Sequence, residues 1–483
     1  MEKLKNVVII GAGPAGLTTG YELSKNSQFN LTIIEADANY LGGISRTVRY
    51  KNFRFDIGGH RFFSKSKEIE NLWSEILGSD LLERPRKSSI YYKKKFYDYP
   101  LKPFNALFQL GFTESIYCFF SYLYSQINPI KDPNTFEDWV TNLFGRRLFN
   151  IFFKSYTEKV WGIECKNISA DWAKQRIKGL SILHIFFQLF RSKKTTRNEV
   201  KTLISQFRYP RLGPGMMWEK CAQKIMENGG KIVQGVFIQQ IKMDVDKKSW
   251  IVTGVNSKNE LYNYIADEIV LTLPLGTIAS LLSHYSNLPF YPDLKKYSSS
   301  LKFRDFILVA LIMKKQEEFG DNWIYIHDNG VKVGRIQNFR NWSIEMAPDL
   351  NFTCYGLEYF CQEGDTFWNK TDIEFISLAS AELYKLGLIK NLENVVDGKV
   401  IRQPKAYPVY DHDYKNNIEK IRSILDENFN NLHFAGRNGM HKYNNQDHSM
   451  MTGLLVAKNI IADKKNYDVW SVNEDAEYHE IKA

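Results

Sequence analysis

The chain has 483 residues, 44% hydrophobic and 24% charged, the balance of a globular protein too long for one typical core, so two or three lobes are expected. Its 64 lysines and arginines against 54 acids give a net charge of +10, which suits an anionic ligand or an acidic surface; no nucleic-acid motif accompanies it, and no nucleic-acid partner is expected. Cys118, Cys165, Cys221, Cys354 and Cys361 are scattered without a C-x-x-C pair, which argues for reduced thiols in a cytoplasmic protein and against a metal site. The N-terminus runs straight into an apolar strand, leaving no room for a signal peptide, and no apolar run reaches the length of a membrane span.

Residues 7–17 read Val-Val-Ile-Ile-Gly-Ala-Gly-Pro-Ala-Gly-Leu, a β-branched run that breaks into three glycines and opens an amphipathic segment. This is the pattern of a strand, a phosphate-binding turn and a helix. Gly11 permits the tight turn, Gly13 lets bare backbone approach a pyrophosphate, and Gly16 lets helix and strand pack closely. Pro14 and Ala15 open the helix, whose N-terminus faces the anion. A second apolar strand over residues 31–34 ends at Glu35, placed to accept ribose hydroxyls. The chain is expected to bind a dinucleotide at its start.

Two further glycine pairs follow: Gly42-Gly43, with Ser45 and Arg46 behind it, and Gly58-Gly59-His60. A simple nicotinamide dehydrogenase has no need of them. A flavin laid across the strand ends needs bare backbone near both its diphosphate and its ring, with Arg46 to neutralise the pyrophosphate. FAD is the expected cofactor, and no second dinucleotide fingerprint supports a built-in nicotinamide site.

Residues 88–99 predict a hairpin that turns in Lys93, Lys94 and Lys95, and residues 104–190 predict helices with a polar break at 129–135. The aromatic-rich stretches 104–124 and 184–190 read as buried helix, with a shallow peripheral membrane contact, helped by Arg191, Lys193 and Lys194, as the alternative. Residues 192–215 read as an exposed basic loop that ends in irregular backbone over 209–215. A helix at 216–227, a strand at 231–236, strands over 238–255, a buried strand at 266–274 and a strand-rich region at 301–358 come next. A helix at 372–386, a strand at 432–435 leading into Gly436-Arg437, a helix at 449–462 and a loosely ordered tail from Asn466 complete the chain.

The expected class is α/β: a Rossmann-like FAD-binding domain over 1–65, 215–275 and 425–465, a helical domain inserted at 104–205, and a mixed antiparallel β-sheet substrate domain over 66–103 and 276–424.

With these motifs in place, the chain resembles the flavoproteins with a glutathione-reductase-like FAD domain, which include amine oxidases and protoporphyrinogen oxidase, and within them UDP-galactopyranose mutase. Gly58-Gly59-His60-Arg61-Phe62-Phe63 is similar to the mutase segment that sets a histidine beside the flavin. Phe152 to Gly162, with Tyr156-Thr157-Glu158-Lys159-Val160-Trp161, is similar to its Tyr-Thr-x-Lys-x-Trp motif. Tyr99-Pro100-Leu101, Arg304, and Ala435-Gly436-Arg437 with Lys442-Tyr443 fall in the same order.

The resemblance implies that Val236, Gly436, Arg437, Asn445 and Ser449 join the glycine turns in holding FAD. It also implies that Phe152 and Tyr156 stack on the base, that Trp161 packs near it, and that Arg304 and Tyr443 hold a diphosphate, with Arg208 or Arg211 arriving from a mobile loop. His60 would tune the flavin. The implied activity is interconversion of pyranose and furanose forms of a nucleotide-sugar, UDP-linked, through N5 of the reduced flavin, for surface polysaccharide synthesis, in a chain that could form a homo-oligomer.

Two departures stand out. Val333 occupies the place of an expected diphosphate-binding tyrosine, and His441 to Met450 differs from the mutase Tyr-Lys-Tyr-x-Asp-Met. In that stretch Asp447 and His448 could move a proton, or the segment could serve as a helix cap. The alternative function is an FAD-dependent oxidoreductase acting on an apolar or amine substrate.

Overall fold

The computed structural model describes residues 4–99, 103–176, 206–244, 248–315 and 318–473. The aromatic stretch expected at 184–190, the basic residues at 191–197 and the end of the expected tail lie outside them.

A wholly parallel five-stranded sheet runs in the order Leu432–Phe434, Glu268–Leu271, Lys5–Ile10, Phe29–Glu35, Lys231–Gln234. Its central strands are buried on both faces, which is why Val7-Val-Ile-Ile and Ile269-Val-Leu read as continuous apolar runs. The helices Pro14–Ser24, Lys67–Leu77, Gly215–Glu227 and Gln446–Ile461 share the core on one face. On the other face lie an antiparallel sheet of Val236–Asp244, Ser249–Asn256 and Leu261–Ala266 and the helices Tyr291–Ser299 and Tyr414–Asn428.

A seven-stranded mixed sheet runs Val395–Pro408, Phe303–Lys314, Phe352–Cys361, Arg335–Asn338, Trp323–Ile326, Ser88–Tyr92, Lys95–Asp98. Only the pairing of Trp323–Ile326 with Ser88–Tyr92 is parallel. The helix Asp372–Leu386 covers one face through Phe375, Ala379 and Leu383. Its start is fixed by Thr371 and Glu374, whose side chains and backbone amides bond reciprocally.

Several expectations need correction. The helices Lys67–Leu77 and Tyr291–Ser299, expected on the substrate side, and Tyr414–Asn428, expected to straddle the boundary at 424, all pack their apolar faces into the cores of the parallel sheet. Tyr209 and Pro210 belong to a strand, Gln206–Pro210, paired antiparallel with Leu81–Pro85. The start of the tail is docked: Val469 is buried, Lys442 Nζ donates to the Trp470 carbonyl at 2.7 Å, and Asn473 donates to the Tyr443 carbonyl at 3.1 Å. Finally, the helix Phe112–Ile127 is not buried but exposes most of its apolar side chains. Among the described residues no helix is long and apolar enough to cross a membrane.

Candidate functional site

The expected cofactor residues gather at the carboxyl ends of the parallel strands, the edge where ligands bind in open α/β sheets. Gly11 has φ +102°, and a Cβ there would lie 2.1 Å from Thr272 Oγ1. A Cβ on Gly16 would meet the Gly11 carbonyl oxygen at 2.0 Å. Both positions demand glycine on geometric grounds. Among the described residues no side chain caps the helix Pro14–Ser24, so the Ala15 and Gly16 amides at its mouth face outward without a side-chain acceptor there. Glu35 Oε2 accepts from the Ala12 amide at 2.7 Å and Oε1 from the Asp37 amide at 3.0 Å, which aims the carboxylate at the turn with lone pairs to spare for a ribose.

The second and third glycine pairs close on this turn. The Gly42 amide donates to the Ala12 carbonyl at 2.8 Å, and a Cβ on Gly43 would stand 3.3 Å from Gly13 Cα. Arg46 donates to the Gly43 carbonyl (2.9 Å) and to Gln403 Oε1 (2.7 Å), with Asp37 at 3.9 Å. From the opposite side come Gly436, φ +82°, whose amide donates to Thr452 Oγ1 at 2.9 Å, and Gly453, whose Cβ would meet the Ala15 carbonyl at 2.3 Å. Val236 opens its strand next to Gly235, by the end of Phe29–Glu35. The bare backbone, uncapped amides and ribose-facing acid fit a dinucleotide with a long diphosphate bridge, and FAD is such a group.

At the front of the site, Gly58 and Gly59 lie beneath a polar cluster. A Cβ on Gly58 would lie 3.6 Å from Arg335 Nη2, 3.8 Å from His60 Nε2 and 3.9 Å from the Tyr407 hydroxyl oxygen. Arg335 reaches Glu358 on the neighbouring strand at 2.6 Å, and Gln337 donates to the other carboxylate oxygen at 2.7 Å. Burial opposes the charge on Arg335, but the fully buried Glu358 outweighs it and holds the guanidinium protonated.

Aromatic rings wall this cluster. Tyr407 and Tyr443 stack at 5.6 Å, and the Arg437 guanidinium lies 5.4 and 5.1 Å from their centroids. Trp161 abuts Tyr443 edge-on at 6.1 Å. Tyr156 stacks on His327 at 4.9 Å and meets Tyr325 at 5.5 Å. Burial raises the pKa of both Tyr156 and Tyr407, so their phenols keep their protons as hydrogen-bond donors. Lys159 braces the wall by donating to the carbonyls of Ile326, Asp328 and Val333 at 3.0–3.2 Å. Its burial lowers its pKa to about 8. Val333 itself is fully buried in the sheet core.

His60 Nε2 lies 2.8 Å from the Ile57 carbonyl, which can only accept, so Nε2 carries the proton and Nδ1 faces Ser45 Oγ at 3.4 Å. Burial, with Arg437 and Arg335 adding to it, lowers its pKa to about 4. His60 is a neutral, fixed imidazole.

The segment 444–449 is a cap and more. His448 caps the start of Gln446–Ile461, its Nδ1 accepting from the Asn445 amide at 3.2 Å, while the Ser449 amide closes the first helical turn on the Asn445 carbonyl at 3.0 Å. Asp447 is buried beside it, and burial raises its pKa to about 7 against the pull of backbone amides and Ser64. The sign follows. Between the ordinary 3.8 and about 7 the unfolded chain ionises this carboxyl while the folded chain keeps the proton, so its contribution to stability falls as pH rises through that window. Asp447→Asn is therefore expected to match the parent near pH ~4 and exceed it at pH ~8 by on the order of 4 kcal/mol. Thermal midpoints at the two pH values check this; an equal difference at both would refute it.

Other expected site residues sit elsewhere. Phe152 is 3% exposed and packs edge-on against Tyr97 at 5.3 Å in a small core with Ile90 and Ala106, so it cannot stack on a base. Arg208 does not come from a mobile loop: it lies on a strand, pairs with Glu70 and donates to Ser74 at 2.9 Å. Arg211 bridges Asp80 (3.3 Å) and Glu345 (3.0 Å). For both, nearby carboxylates capture the guanidinium. Arg304 donates to the carbonyls of Val160 (3.1 Å) and Phe360 (2.9 Å), joining the Tyr156 helix to the sheet, while its charge stays whole.

Sequence reasoning missed Arg335, Glu358, Tyr407 and Tyr325. They lie on four separate strands, and the available signal was a charged residue, Arg335 or Glu358, in a buried-strand pattern; Tyr325 and Tyr407 carried no such mark.

A family profile described as an NAD(P)-binding Rossmann-like domain matches residues 9–76. Solved structures match nearly end to end. Reduced UDP-galactopyranose mutase superposes with a TM-score of 0.80 at 20% identity, covering 98% of each chain. A protein from Exiguobacterium carrying a provisional protoporphyrinogen oxidase name gives 0.70 at 15% identity over 95% of this chain and 99% of that one. A redesigned putrescine oxidase gives 0.62 at 15% identity over 95% and 99%. The chain thus has a Rossmann-like dinucleotide-binding domain set within the α/β fold shared by UDP-galactopyranose mutase and these oxidases.

Proposed function

We propose that this chain is an FAD-dependent enzyme that interconverts the pyranose and furanose forms of a nucleotide-sugar, probed first with UDP-linked sugars. The observation that carries the reading is the cluster of Arg335, Arg437, Tyr156, Tyr325, Tyr407 and Tyr443 over the bare backbone of Gly58-Gly59. The superposition on the mutase over nearly the whole chain supports it.

Reduced flavin, when bound, supplies a nucleophilic nitrogen, so no nucleophilic side chain is needed. The chain's own residues do the rest. Gly11, Gly13, Gly16, Glu35, Gly42, Gly43, Arg46 and Gly436 would hold the cofactor's diphosphate and ribose. Gly58 and Gly59 leave space at the ring, and His60, neutral and fixed, lines it without exchanging protons near neutral pH. Arg437 donates to the carbonyls of Asn444 and Ala406, so its positive charge is available to a substrate diphosphate. Tyr156 and Tyr407 donate phenol hydrogens to phosphate or sugar oxygens, and the stacked rings exclude water.

The test is anaerobic incubation of purified, chemically reduced protein with UDP-sugars. A new sugar-nucleotide isomer formed only under reducing conditions is the expected result. Flavin turnover by oxygen on an amine or apolar donor, with every UDP-sugar unchanged, would instead assign an oxidoreductase.

A further inference from the structure

The helix Phe112–Ile127 buries one narrow side, Cys118, Tyr122 and Ser125, against the rest of the chain. At about 100° per residue, Phe112, Ile116, Phe119, Phe120, Leu123 and Ile127 form a stripe roughly 100° wide on the far side. All six are exposed, Phe112 by 82%, Phe120 by 63% and Ile127 by 76%. Such a stripe ordinarily faces a core. Here it faces outward and carries no charge, since Glu114, the helix's acid, turns away to Arg147. Phe108, 89% exposed on the preceding helix Pro103–Leu110, is a further exposed apolar side chain before the N-terminal end of Phe112–Ile127.

That same end carries a basic tip. Lys93, Lys94 and Lys95 are exposed at the turn of the hairpin, with Phe96 beside them. The tip is tied to the helical layer: Lys95 Nζ donates to the Gln109 carbonyl and Gln109 Nε2 to the Phe96 carbonyl, both at 2.7 Å. An uncharged aromatic stripe about 24 Å long with lysines at its rim is the chemistry of a helix lying in the headgroup plane of an anionic bilayer. A second copy of the chain would set one +10 body against another, whereas an anionic surface answers that charge.

We propose that this face docks the protein peripherally on an anionic lipid surface, with the phenylalanines entering the acyl boundary and the lysine tip engaging headgroup phosphates. The test is flotation of the full-length protein with vesicles of phosphatidylcholine alone or mixed with phosphatidylglycerol. Flotation is expected with the mixed vesicles, falling with salt. Phe112→Ser with Phe120→Ser is expected to weaken it at least tenfold, and Lys93→Glu with Lys94→Glu to weaken it on the mixed vesicles. Neither pair touches the glycine turns, so circular dichroism and bound dinucleotide should match the parent. No binding to either vesicle, or undiminished binding by the phenylalanine variant, overturns the proposal. A dimer in light scattering that the phenylalanine variant returns to monomer would also overturn it, by giving the face to a second copy.

Discussion

Gly16→Ala is expected to yield protein without bound dinucleotide and with a lowered thermal midpoint. The added Cβ would sit 2.0 Å from the Gly11 carbonyl oxygen and 3.2 Å from its carbonyl carbon. These are backbone atoms of the turn itself. Relief requires the helix Pro14–Ser24 to move off the strand Lys5–Ile10, which opens the cradle that Gly43 and Gly436 complete from either side. Gly320→Ala is the matched control, because nothing stands within 4 Å of its Cβ and its backbone is not in the left-handed region. Visible flavin absorbance and a melting curve read both effects. A Gly16→Ala chain that keeps a full complement of cofactor would contradict the geometry.

The second large effect is expected at Glu358. Replacing it with leucine leaves the Arg335 guanidinium charged without its partner and removes the acceptor of the Gln337 amide. Breaking a buried pair on one side costs about 3–5 kcal/mol, mostly because a charge is stranded in a poorly solvated place. The double variant Arg335→Met with Glu358→Leu should recover most of that stability while UDP-sugar binding stays weak, since the guanidinium over Gly58 is gone. Thermal midpoints and calorimetric titration separate the two losses. Equal stability of Glu358→Leu and the parent would show that solvent already satisfies Arg335.

Local sequence carried the features that short-range chemistry dictates. The strand, turn and helix around Gly11 to Gly16 follow from backbone conformation, and the helix Asp372–Leu386 from its capping residues and periodicity. The hairpin through the lysine run falls where expected. Legibility declined where a side chain's partner is distant in sequence. Arg208 and Arg211 read as free basic residues, yet Glu70, Asp80 and Glu345 hold them. Phe152 and Tyr156 read alike in one aromatic run, but a turn of helix apart they face different surroundings, the hairpin core for one and the Arg335 cluster for the other.

The sequence by itself determined the Rossmann-like turn suited to a dinucleotide, because a tight turn, a helix start without a capping side chain and an acid at the end of the next strand are written in nearby residues. Only the tertiary structure decided what stands before that dinucleotide. Arg335 and Glu358 meet because their strands pair in that register, and Tyr407 and Tyr443 stack although the helix Tyr414–Asn428, the strand Leu432–Phe434 and the short helix Gly436–Gly439 lie between them in sequence. The same holds for the outward phenylalanine stripe, since periodicity reveals an apolar helix face, but burial depends on what the rest of the chain brings against it.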